Sequence, residues 1–136
     1  MHRAILTSAA LAGLLVMSGA AAAHHGSSAA YEANKTVELT GTVTGFVWAN
    51  PHTRVFVDVA GPGNTAVNWG VELRPTPAGL TRMGWTRHTL QPGDTITMTV
   101  SPSRFGTPAG VAETNFPILK NGEQLPGTGP RRNGGA

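Results

Sequence analysis

Four side chains combine a metal-binding type with a telling position: the adjacent His24 and His25, His52 directly after Pro51, and Glu72 on the polar side of an alternating run. Imidazole nitrogen suits copper, nickel and zinc, and a carboxylate adds an oxygen donor whose charge offsets the ion. The position of the histidine pair matters as much as its type. If the chain is cut after Ala23, His24 becomes the N-terminus, and its amine and ring nitrogen form a chelate. If it is cut after Ala22, the start is Ala23-His24-His25. The amine, two backbone amides and the third-position imidazole then make a square plane suited to Cu(II). His52 and Glu72 are the candidates to add a ligand from the folded body, with copper expected ahead of zinc. Each also has a plainer reading: solvated histidines in an arm, a turn histidine bonded to backbone, and a glutamate facing water. His88 is set aside, because Arg87 beside it disfavours a second positive charge.

Other chemistries find little to work with. The chain has no Cys, which excludes disulfides, thiolate zinc fingers, iron–sulfur clusters and a cysteine nucleophile together. There is no Gly-x-Ser-x-Gly elbow and no glycine-rich phosphate loop between a strand and a helix. Asp58, Glu72 and Asp94 fall at no spacing that suggests an acid–base pair. Only 12% of residues are charged and the formal charge is +3, too few cations for a nucleic-acid stripe. An enzyme is therefore the reading with least support. The expected partner is another envelope protein or a small ligand, not nucleic acid.

The elements that must position these residues follow from local pattern. Arg3, the apolar stretch from Ala4 to Met17 and the small residues up to Ala23 read as a secretory signal peptide over 1–23. The mature chain is then expected in a bacterial periplasm or outside the cell, with no membrane insertion after cleavage. Residues 24–35 have no sustained period and form an arm whose docking residue is Tyr31. A β domain is expected over 36–126. Thr36–Val43 alternates with period two, Gly41 and Gly45 interrupt it, and Phe46-Val47-Trp48 continues beyond a bulge. Arg54–Val59 and Ala66–Leu73 alternate likewise on either side of Gly61-Pro62-Gly63-Asn64. Thr76 followed by Pro77 opens one short helix to about Met83. The turn Gln91-Pro92-Gly93-Asp94 leads into Ile96, Met98 and Val100, and a weaker fifth strand over Val111–Leu119 is broken by Pro117. Asn121-Gly122 is a type I′ hairpin signal, and residues 127–136 read as a disordered tail.

One domain of five short strands with a helix between the third and fourth fits a small, partly open OB-like barrel, with a small β-sandwich as the alternative. Trp48, Phe56, Trp69 and Trp85 could form a binding platform on such a barrel, although Trp69 keeps phase with Val67 and Val71 and so belongs to the core pattern. Several segments together resemble a family of small exported bacterial proteins known only as a domain of unknown function. The carriers are His24-His25, Tyr31–Lys35, Val37-Glu38-Leu39-Thr40-Gly41, Val47–His52, Asn68–Leu73, Leu80–Trp85 and Leu90–Asp94. The resemblance implies an exported β-rich domain and no particular reaction.

Overall fold

In the computed structural model, which describes residues 29–130, the alternating runs become strands whose apolar faces share one core. Strand β1 (Val37–Val47) directs Leu39 and Val43 inward and threonines outward. β2 (Arg54–Ala60) buries Val55 and Val57, and β3 (Ala66–Leu73) buries Val71 and Leu73. β4 (Thr95–Pro102) contributes Ile96, Met98 and Val100. Each fully buried side chain of this size stabilises the fold by about 1.5–3 kcal/mol before conformational entropy is set against it. β5 (Ala109–Ala112) is short and small, and the hairpin β6 (Leu119–Lys120) and β7 (Glu123–Gln124) follows.

The strands run in the order β1-β2-β3-β5-β4-β6-β7, and β1 also pairs with β4, so the first five close into a barrel. β1 manages this by bending. Its first half lies antiparallel to β4, with Val37 opposite Val100 and Thr42 opposite Thr95. Its second half lies antiparallel to β2, with Gly41 opposite Val59 and Val47 opposite Arg54. The register slips between Val43 and Gly45, the bulge that the double glycine signalled. Gly41 belongs to both ladders, and a Cβ there would lie 2.2 Å from the Asp58 carbonyl oxygen. On the outer face, Phe56 covers the two glycines paired with it, Gly45 on β1 and Gly70 on β3. β3 and β5 run parallel, with Glu72 opposite Val111.

Between β3 and β4 lies the helix α1 (Pro77–Arg82). Thr76 caps it by accepting a hydrogen bond from the Gly79 N–H at 3.2 Å, and Pro77 takes the first position, where a missing N–H costs nothing. Gly84, at φ +96°, ends the segment and turns Trp85 inward. Trp85 is fully buried with Leu80, and its Nε1 donates to the Pro126 carbonyl at 2.9 Å. These two side chains fill one end of the barrel.

Two expectations are corrected. The fifth strand does not extend from Val111 to Leu119: it runs from Ala109 to Ala112 and gives way to a turn, and Leu119 begins the β6–β7 hairpin instead. The first part of the assigned tail is also held in place. Thr128 is buried and its hydroxyl accepts from the Ile118 N–H, while the Gly129 N–H donates to the Thr114 and Phe116 carbonyls. The β-sandwich alternative is replaced by the closed barrel. By compactness the chain falls into residues 1–30 and 31–136, the barrel lying wholly in the second. Residues 1–28, which include the segment expected as a signal peptide and the first part of the expected arm, and the last six residues lie outside the described residues.

Candidate metal site

The β1–β2 connection carries Trp48 to Thr53 and includes a cis Asn50–Pro51 bond. It delivers His52 to the edge of the β2–β3 ladder. The Leu73 N–H donates to the Thr53 carbonyl at 2.9 Å, extending that ladder one step beyond β2. Arg54 lies opposite Glu72. His52, two residues before Arg54 on the same face, is therefore the diagonal neighbour of Glu72, within reach of a long side chain.

The geometry of the pair is specific. His52 Nδ1 lies 3.4 Å from Glu72 Oε1, with side-chain exposures of 32% and 10%. A carboxylate that far from water is costly unless a cation or donors compensate it. Among the described residues, His52 is the one basic side chain within ion-pair distance of Glu72. Yet Nδ1 is itself buried and makes no hydrogen bond among the described residues, so the two atoms are close without being joined by one. With its proton on Nε2, the imidazole offers a lone pair at Nδ1. Two donors each about 2.0–2.1 Å from a tetrahedral ion lie about 3.3–3.4 Å apart, whereas right-angled donors of a square plane lie about 2.9 Å apart.

The surroundings are polar and tied together by hydrogen bonds. Tyr31 forms an isolated antiparallel bridge with Ser103, and its carbonyl accepts from Arg104 Nε at 2.9 Å. Burial pushes the Tyr31 phenol above its ordinary value, nearby Glu72 pushes it further, and Arg54 works in the opposite sense. Tyr31, Arg54, Glu72 and His52 thus share one electrostatic neighbourhood. Further along the same outer face, Asn68 donates to Asp58 Oδ1 at 2.8 Å and to Thr44 Oγ1 at 2.9 Å, tying the bulge to β2 and β3.

Of the four residues singled out in the sequence, His52 and Glu72 are brought together, while His24 and His25 lie outside the described residues. Among the described residues no third His, Asp or Glu joins the pair. His88 sits in an exposed turn, its N–H bonded to Thr86 Oγ1. The four aromatics form no common platform: Trp85 is core, Phe56 covers glycines on the outer face, Trp48 packs edge-on to Phe46, and Trp69 lines the opposite end of the barrel. Arg54 and the electrostatic part of Tyr31 were missed. Arg54 could have been found by pairing Arg54–Val59 against Ala66–Leu73 across the Gly-Pro-Gly-Asn turn.

Residues 10–113 match the profile of a family of unknown function, DUF6152, and the chain belongs to that family. No curated protein matches it.

Proposed function

We propose, starting from membership in a family without an assigned activity, that this small β-barrel is an exported metal-binding module that holds one late transition-metal ion at His52 and Glu72. His24 and His25 are the candidates for the remaining nitrogens, and copper is the ion that such a nitrogen-rich set favours. The observation that carries the reading is the buried Nδ1 of His52, free of hydrogen bonds among the described residues and 3.4 Å from a nearly buried carboxylate. An ion between them would satisfy both groups at once, neutralising Glu72 and using the imidazole lone pair. A second reading, zinc, is favoured by one feature: the separation of the pair fits a tetrahedral ion better than a square plane.

The test is native mass spectrometry on protein exported by its own leader and titrated with Cu(II) and, separately, Zn(II) against a competing chelator. One spectrum gives both the mature N-terminus and the stoichiometry. One ion per chain is expected, with affinity falling at least tenfold in His52→Ala and in Glu72→Gln. Equal binding by these variants and the parent, or several weakly held ions, would overturn the reading and favour an interaction module indifferent to metal. His24→Ala and His25→Ala then measure what the N-terminal pair adds.

A further inference from the structure

The two ends of the barrel differ. Deep in the barrel, Val55, Val57 and Val71 are completely buried, and Leu80 and Trp85 fill the α1 end. On the same inward faces towards the other end, Val37, Val59, Val67 and Trp69 are only half-buried. Together with Leu39 they floor a cavity of about 650 Å³, within the span of about 300–1,000 Å³ of small-molecule sites. A sealed barrel would have capped these side chains. Here they form an apolar surface open to solvent.

The mouth is charged. Lys35 and Arg104 both line it and both are exposed, and among the described residues neither forms an ion pair. Arg104 is not free to swing away, because its Nε donates to the Tyr31 carbonyl and leaves its terminal nitrogens available. Glu32 is the one carboxylate in the lining, so the rim carries a net positive charge above an apolar floor. Next to Arg104, Phe105 is 77% exposed on the loop between β4 and β5.

We propose that the open end of the barrel binds a single-chain amphiphile, its aliphatic tail lying on Trp69 and the valines and its carboxylate held by Lys35 and Arg104. The opposite charges at head and rim choose the ligand class, because an uncharged apolar molecule would leave two cations unpaired and a cationic one would be repelled. This site is separate from His52 and Glu72 and does not depend on an ion there.

The test follows tryptophan fluorescence and titration heat of the full processed protein with sodium decanoate, 1-decanol and decyltrimethylammonium bromide, all below micelle-forming concentration. Decanoate is expected to bind at one saturable site, at least tenfold more tightly than either comparison. The Lys35→Ala/Arg104→Ala double variant removes both rim cations, and with Arg104 its bond to the Tyr31 carbonyl, and is expected to weaken decanoate at least tenfold while the circular dichroism spectrum and melting midpoint stay close to the parent's. Trp69→Phe should remove most of the fluorescence response while retaining the heat, and His52→Ala should leave both unchanged. The proposal is overturned by an absent or unsaturable response, by equal binding of the anionic and cationic amphiphiles, or by decanoate binding unaffected in the double variant. Sedimentation showing that a second copy of the chain excludes decanoate from this end would overturn it as well.

Discussion

At the scale of single residues, the neighbour of the candidate ligand is as informative as the ligand. Thr53 is fully buried, and its Oγ1 makes no hydrogen bond among the described residues, although its carbonyl serves the ladder. An unsatisfied buried hydroxyl costs about 1–3 kcal/mol relative to an apolar group of the same shape. Thr53→Val is therefore expected to stabilise the protein by about 1 kcal/mol in urea titration, without changing metal affinity. A loss of metal affinity in that variant would instead make the hydroxyl part of the site. His52 and Glu72 were legible in the sequence as residue types in exposed-looking positions, a turn and a polar strand face. Their closeness was not, because it depends on the pairing of Arg54 with Glu72, which sets the diagonal between strands. The burial of Glu72 was also hidden, since alternation alone assigns that face to water.

At the scale of elements, Asp94 interlocks two turns. Its Oδ2 accepts from the Gln91 N–H at 2.8 Å and faces Lys120 Nζ at 3.3 Å, and its Oδ1 accepts from the Asn121 amide at 3.1 Å. Burial raises the carboxyl, but the Gln91 N–H, the Asn121 amide and Lys120 outweigh it and hold Asp94 below its ordinary value. Because the folded value is depressed, the stabilisation is complete above the unfolded carboxylate range near about pH 4 and is lost as pH falls through the folded value. Asp94→Asn should accordingly melt below the parent at neutral pH, with the gap narrowing as thermal scans are taken from about pH 5 towards pH 2. Both turns were readable separately, from Gln91-Pro92-Gly93-Asp94 and from Asn121-Gly122, and Asn121 and Gly122 do take the positive φ of that hairpin type. Their interlock was not, because it needs the pairing of β4 with β6. The start of β5 escaped for a different reason. Gly110 is buried within 3.0 Å of Val100 and the Ser101 carbonyl at its Cβ position, and a core glycine contributes nothing to a hydrophobic period.

At the scale of the molecule, the barrel depends on closure through β1, and closure passes through Gly41. The backbone of β2 faces that position and cannot step aside as a side-chain tip could. Gly41→Ala is expected to destabilise the protein by about 2–3 kcal/mol, in the upper range for overpacking, read from the denaturant midpoint by circular dichroism and tryptophan fluorescence together. Loss confined to one probe would show that the barrel opens without unfolding. A small barrel of about five strands was legible from strand number, the central bulge and the helix position, whereas the strand order and the closing of β1 onto β4 were not, because both depend on pairings remote along the chain.

The pairing of β1 with β4 also sets an order of events in time. Val37 meets Val100 across some sixty residues of chain, and β3 lies beside β5 in parallel rather than in a hairpin. Contacts so remote along the chain form slowly, because the ends of a long loop must first find one another. A chain growing from its N-terminus can assemble β1, β2 and β3 as a meander, but Val37–Thr42 then remains a bare edge, its N–H and C=O groups open to any passing strand. The hazardous interval in the life of this protein is therefore the one before Thr95–Val100 has been made and delivered.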